Sequence, residues 1–224
     1  MRITRIETQQ KRRDRVNLYV DGEFALGLSK ETLLRAALRV GDELSAARID
    51  ALTAEETLFQ ARTAALRLLS RRPRSEKEIR DRLREKEFGD REIARIIDDL
   101  KSSGLINDAE FARTYVRNAL ALRPQGEIQL RQKLLLLGVA RPVIDDCLRE
   151  IVPGVDVEHM ARTLAERYLA KTRSGSRRAD PQKRRRLVAG MLARRGYAWT
   201  VINQVLHSLD LSSEEDPHDH PSSL

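Results

Sequence analysis

From Ile3 to Leu28 the chain alternates apolar positions with polar or small ones: Ile3, Ile6 and Thr8, then Val16, Leu18 and Val20, then Phe24, Leu26 and Leu28. This is the period of strands with one buried face. Asp21-Gly22 sits between the last two runs and predicts a tight hairpin turn, since Gly accepts positive φ without a Cβ clash. A small antiparallel sheet is the expected result. Ser29 then caps a short helix to about Leu38, and Gly41-Asp42 turns the chain into a second short helical segment around Ser45 to Leu52. So small an apolar face is not stable alone, and the module over 1–52 is expected to pack on the first of the helical repeats beyond it.

Past residue 52 the spacing becomes helical and the sequence repeats. Ala-Arg-Thr occurs at 61–63, 112–114 and 161–163, preceded by Phe59, Phe111 and Met160, a period of about fifty residues. A shift of 51 carries Ile79, Leu83, Phe88, Ile97 and Leu100 onto Leu130, Leu134, Val139, Leu148 and Ile151. A further shift of 58 leads to Val188, Leu192, Tyr197, Leu206 and Leu209, while the third triplet lies only 49 after the second. The third copy therefore holds a nine-residue insertion near Lys171 to Asp180.

Each copy reads as three helices. Capping boxes are expected at Thr53 with Glu56 and at Ser75 with Glu78, with Asp90 capping the third helix. Asn107 with Glu110 opens the second copy, Asp156 opens the third, and Asp180-Pro181 starts the third copy's middle helix. Gly138 and Gly196 end the middle helices of copies two and three in left-handed conformation. In copy one that place holds Glu87, so either Gly89 ends the turn two residues later or Glu87 carries the strain. The repeats span 53–106, 107–154 and 155–210, and the acidic, proline-containing stretch 211–224 reads as a disordered tail. The fold class is mainly α: three tandem three-helix repeats in an elongated, curved body, each unit touching only its neighbours, after a small β-hairpin and helix module.

The balance of 42 Lys and Arg against 34 Asp and Glu, a net charge of +8, favours a polyanionic partner, either nucleic acid or an acidic protein face. Aromatic residues are only 4% of the chain, so few rings are left to stack on bases, and contact with nucleic acid is expected at phosphate. The single cysteine, Cys147, excludes an internal disulfide and falls at a packing position. No apolar run is long enough to span a bilayer, and a soluble, cytoplasmic, monomeric protein without membrane contact is expected.

Signs of catalysis are few. No GxxxxGK[ST] phosphate loop is present, which argues against ATP use. His159, His207, His218 and His220 lack metal-site spacing, so no cofactor or metal is expected. Asp98-Asp99 and Asp145-Asp146 could suggest a nuclease metal site, but helix neighbours point about a hundred degrees apart. Solvated helix faces account for them better. No enzymatic activity is expected.

Basic clusters recur instead. Arg71, Arg72 and Arg74 lie at the turn between helices one and two of the first copy, and Arg123 recurs there in the second. The insertion of the third copy sits at the same turn, with Lys171, Arg173, Arg177, Arg178, Lys183, Arg184, Arg185 and Arg186 opposed only by Asp180. Phosphates or a carboxylate-rich groove would be natural ligands, because Arg forks both anions bidentately. A mobile, solubilising loop is the other reading. Recurrence with the repeat favours binding.

The spacing of Arg74-Ser75, Glu78-Ile79 and Leu83, then Leu100 with Gly104-Leu105-Ile106-Asn107-Asp108 and Phe111-Ala112, then Arg123-Pro124-Gln125-Gly126 with Leu130, Leu134 and Gly138-Val139, resembles the RecX family of recombinase regulators. Val16 to Phe24 and Gly27 to Lys30 resemble the N-terminal module of a subset of that family. The departures are Glu87, where glycine is usual, and the long basic insertion. The resemblance implies a non-enzymatic protein that lies in the groove of the RecA filament, bridges protomers, and suppresses ATPase, strand exchange and coprotease function. It also implies direct binding of single- and double-stranded DNA through the backbone. A DNA-binding regulator acting without RecA is the alternative. The resemblance carries no compact set of binding residues, so the twelve basic positions rest on charge and repeat position alone.

Overall fold

The computed structural model describes residues 1–176 and 181–209, with the backbone alone for 172–176. Arg177, Arg178, Asp180 and the expected tail at 211–224 lie outside the described residues. Contacts divide the chain after Asn107 into two compact units.

In the first unit, β1 (Ile3–Thr8), β2 (Arg15–Val20) and β3 (Glu23–Ser29) form an antiparallel sheet in that order. Asp21 and Gly22 both take positive φ, 48° and 89°, as a two-residue hairpin requires. Ile3, Val16, Leu18, Val20, Leu26 and Leu28 are buried. Phe24 departs from the expected alternation. A register shift between Leu18 and Tyr19 sets it opposite Tyr19, where it is 59% exposed and edge-on to the Tyr19 ring.

Ser29 caps α1 (Lys30–Arg35) by accepting the Thr32 amide at 3.0 Å. The two helices expected on either side of residue 52 are instead one, α2 (Ala46–Leu69), capped by Ser45. Thr53 does not cap: its Oγ1 donates to the Ile49 carbonyl inside the helix. Glu56, expected to close that capping box, is buried and turned toward the sheet. Its Oε1 accepts from Arg15 at 2.7 Å and from Gln60 at 2.9 Å, and its Oε2 accepts the Ser29 amide at 2.8 Å. Leu52, also on α2, belongs to the core under the sheet, while Ala61 and Ala65 belong to the core of the first repeat. One helix thus serves both cores, and the cap signal yields to tertiary pairing.

The first repeat is completed by α3 (Glu76–Arg84) and α4 (Asp90–Ser102). Ser75 and Glu78 form the expected capping box on α3. Gly89 rather than Asp90 is the N-cap of α4; Asp90 is its first helical residue and pairs with Arg84 at 2.9 Å. The second unit holds α5 (Asp108–Leu122), α6 (Glu127–Leu136) and α7 (Arg141–Ile151), then α8 (Val157–Ser176), α9 (Pro181–Arg194) and α10 (Trp199–Ser208). Asp156 accepts the His159 amide at 2.8 Å at the start of α8.

The repeated triplet has a packing cause. Ala61, Ala112 and Ala161 are fully buried, as are Ala65, Val116 and Ala165 one turn later. The first helix of each repeat passes so close to its core that small side chains occupy the inner face. The middle helices end alike: Phe88, Val139 and Tyr197 return their amides to Leu83, Leu134 and Leu192. The residue before each is left-handed, with φ of 64° at Glu87, 85° at Gly138 and 78° at Gly196. Of the two alternatives at the first repeat, Glu87 therefore takes the strained position. On α9, Val188 is fully buried, as its place in the repeat predicts, whereas its neighbour Leu187 is 38% exposed. Cys147 is buried among Val116, Leu134 and Leu148, and burial pushes its thiol pKa up.

Glu56→Ala should destabilise the protein by about 3 kcal/mol, because it strands a mostly buried guanidinium, and a paired Arg15→Met, Glu56→Leu change should recover much of that in urea denaturation. Glu87→Gly should raise stability by about 0.5 to 1 kcal/mol by removing a left-handed Cβ. An unchanged melting midpoint would show that Glu87 is not strained.

Candidate binding surface

The turn between the first and middle helices of a repeat is where the basic positions recur, and the three turns differ in what their charges meet. In the first, Arg71 is exposed and Arg72 is not free. Arg72 donates to Glu78 Oε1 at 2.5 Å and to the Pro73 carbonyl at 2.9 Å. Arg74 is nearly buried, with its Nε on the Leu68 carbonyl and its guanidinium 3.6 Å from Glu78. The hydrogen bond that Arg72 donates to Glu78 raises the Arg72 pKa, whereas burial and then the neighbouring Arg72 charge lower that of Arg74. Burial pushes Glu78 up, but hydrogen bonds from Arg72 and the Ser75 amide outweigh it and hold the carboxyl below its usual range. Of the first cluster, Arg72 and Arg74 thus hold the turn together. Arg71 faces solvent.

At the third repeat, the basic residues expected in a loop are largely helical. Lys171 is exposed near the end of α8, and Arg173 lies on the same helix. At 20 residues against 15 for α5, α8 absorbs part of the insertion. Lys183, Arg184, Arg185 and Arg186 fall in the opening turns of α9, which has no acid in its first turn. Cations there oppose the helix dipole. Arg185 is relieved by donating to the Leu206 carbonyl at 3.2 Å near the end of α10. Lys183 and Arg186 remain exposed.

The second turn is built differently because it abuts the end of α9. The Gly126 amide donates to the Arg195 carbonyl at 2.8 Å, and the Ile128 amide to the Gly196 carbonyl at 3.2 Å. Arg195 donates to the Pro124 carbonyl, and Gln129 to that of Arg194, both at 3.3 Å. The backbones meet so closely that a Cβ on Gly126 would collide with Gly196, and one on Gly196 with Gln129. This junction draws Arg123, Lys133, Arg194 and Arg195 around a depression of about 330 Å³ that Gln125 and Gln129 also line. Gln125 is 6% exposed, and its Oε1 is buried without a partner.

Among those of the twelve basic positions whose side chains are described, only Arg123 enters this depression. Sequence reasoning misses Lys133, Arg194 and Arg195, although the doublet before Gly196, next to a predicted helix end, is a visible signal. What brings it to Arg123 is a contact between repeats, which no local pattern encodes. Three of the four paired aspartates are in separate ion pairs: Asp99 with Arg62 at 3.7 Å, Asp145 with Arg131, and Asp146 with Arg149 at 3.0 Å. No group of three metal-ligating side chains occurs among the described residues, nor any helix long and apolar enough to cross a membrane.

Comparison with known proteins finds four domain matches in order along the chain. The regulatory protein RecX N-terminal domain matches residues 1–45, and the first, second and third RecX three-helix domains match 61–100, 107–148 and 156–206. A regulatory protein RecX of Clostridioides difficile (strain 630) is 31% identical over 208 residues, 92% of this chain and 95% of that protein. One from Clostridium acetobutylicum is 29% identical over the same coverage. A crystal structure of regulatory protein RecX superimposes with a TM-score of 0.70 at 27% identity, covering 91% of this chain and 98% of that one. That of RecX from Lactobacillus salivarius shares the fold, with a TM-score of 0.61 at 24% identity over 70% of this chain and 99% of that one. With an N-terminal module and three helical repeats that match in order, over nearly its whole described length, the chain belongs to the RecX family of regulatory proteins.

Proposed function

We propose that this protein is a non-enzymatic regulator that binds the RecA filament on DNA and lowers its activity. The observation that carries the reading is the ordered match of all four family domains. The charge distribution supports it. Arg71, Arg123, Lys183 and Arg186 are exposed at or beside the turns that join first and middle helices. A filament on DNA offers both carboxylate and phosphate to such side chains. Of the four carboxylates in the two aspartate pairs, Asp99, Asp145 and Asp146 are engaged by arginines. We further propose that it works as a monomer in the cytoplasm, touching single- and double-stranded DNA at the backbone without sequence preference.

Titrated into a RecA reaction on single-stranded DNA, the protein should lower ATP hydrolysis at substoichiometric to stoichiometric amounts and hydrolyse none alone. An unchanged RecA rate at excess protein would reject the proposal. If salt-sensitive DNA binding accompanied that unchanged rate, a DNA-binding regulator acting without RecA would take its place.

A further inference from the structure

The first and second repeats place an arginine at the same point of the same turn, and the residue that answers it differs. Arg72 corresponds to Arg123, and Glu78 to Gln129. In the first repeat Glu78 takes up the positive charge internally, accepting from Arg72 at 2.5 Å and lying 3.6 Å from Arg74. In the second repeat the carboxylate is replaced by a neutral amide, whose hydrogen goes to the Arg194 carbonyl. Three further cations stand around the same depression: Lys133, Arg194 and Arg195. Among the described residues none of the four has an ion-pair partner, and the depression has no acidic side chain in its lining.

Four like charges gathered in one concavity repel one another and raise the energy of the empty site. A surface that only needed solubility would spread them. The wall adds a second sign of a ligand: Gln125 is 6% exposed, yet its amide oxygen is buried with no partner. Buried amides are hydrogen-bonded as a rule, and turning this amide over would aim its N–H₂ where its oxygen now lies. The positions are also fixed. Arg195 is tied to the Pro124 carbonyl, and the backbone contact at Gly126 and Gly196 leaves no room for the junction to slide.

We propose that this junction is a phosphate seat for a nucleic-acid strand, with Arg123, Lys133, Arg194 and Arg195 on consecutive backbone phosphates and the Gln125 and Gln129 amides as neutral donors. Four cations without an acid match a regularly charged strand better than a lone carboxylate, which one arginine fork would satisfy. The seat deepens the proposed function by giving its DNA contact a place, and rests on that reading only for its biological setting. Binding to DNA alone tests it without RecA.

Two full-length variants separate the seat from net charge. One replaces Arg123, Lys133, Arg194 and Arg195 by Ser. The other is Gln129→Glu, which recreates the internal partner of the first repeat while keeping every cation, at the cost of the bond to the Arg194 carbonyl. A control loses the same charge elsewhere, with Lys86, Arg91, Arg95 and Arg141 changed to Ser. Binding is read by anisotropy of a labelled oligothymidylate over a salt series, with circular dichroism confirming helix content. The fourfold seat variant should bind about tenfold or more weakly at low salt, and its slope of log affinity against log salt should fall by roughly 2 to 3, at about 0.7 per phosphate contact. Gln129→Glu should weaken binding about threefold to tenfold, and the control should keep the parental affinity within about a factor of three. Parental affinity in Gln129→Glu and the fourfold variant across the series would overturn the seat. So would equal weakening in the control, which would reduce the effect to net charge. If the variants kept DNA affinity but no longer inhibited RecA, the junction would hold an acidic protein face and the phosphate assignment would fail. If parental protein bound DNA through the seat but left RecA unaffected, the proposed function would fail and the seat would stand.

Discussion

Two glycines that admit no side chain fix the second unit. At Gly126 and Gly196 the start of one middle helix meets the end of another, backbone against backbone, and a Cβ at either would collide with the opposite chain. Two amide hydrogen bonds cross the contact, from Gly126 to Arg195 and from Ile128 to Gly196. Among the described residues each repeat has a small core of its own, with nine buried residues in each cluster, so docking against a neighbour is part of how such units hold together. This contact also arranges the basic side chains. Arg123 is 71 residues from Arg194 and 72 from Arg195 in the chain, yet they share one depression because the glycines let their backbones touch.

The same supersecondary turn is used in two ways along the chain. With an acid at position 78, the arginines are internal struts, and that carboxylate is held ionised below its usual range. Its folded pKa is depressed, so this contribution to stability is present at neutral pH and is lost as pH falls through the acidic range where Glu78 takes up a proton. With glutamine at 129, the equivalent arginine is released to face outward. A single change of charge separates scaffold from surface. Counting basic residues by repeat position therefore overstates the first turn and understates the second.

Much of the fold was legible because its signals are local. The Asp21-Gly22 turn, the Ser75 and Glu78 box, the Asp156 cap and the left-handed ends at Gly138 and Gly196 each need only a few neighbouring residues. The buried alanines at 61, 112 and 161 explain why the triplet stands out at all. The misreadings share the opposite character. Thr53 and Glu56 look like a helix start, but Glu56 answers Arg15 and the Ser29 amide across the sheet, so α2 runs through. Phe24 is displaced by a register shift that alternation cannot show. Of the candidate site, the sequence discloses Arg123 but not its companions, because their meeting depends on a contact between repeats. Arg177 and Arg178 lie outside the described residues; of the other basic positions at that turn, Lys171, Lys183 and Arg186 are exposed.

The most direct measurement tracks individual guanidinium groups. In ¹⁵N-labelled protein, the Nε–Hε resonances of arginine can be assigned and monitored while an oligothymidylate is titrated in at low salt. Phosphate seating at the junction predicts that the signals of Arg123, Arg194 and Arg195 move together and saturate together, while those of Arg72 and Arg74, already held by Glu78 and the turn, stay in place. Movement at Arg72 and Arg74 with none at Arg123, Arg194 and Arg195 would contradict it.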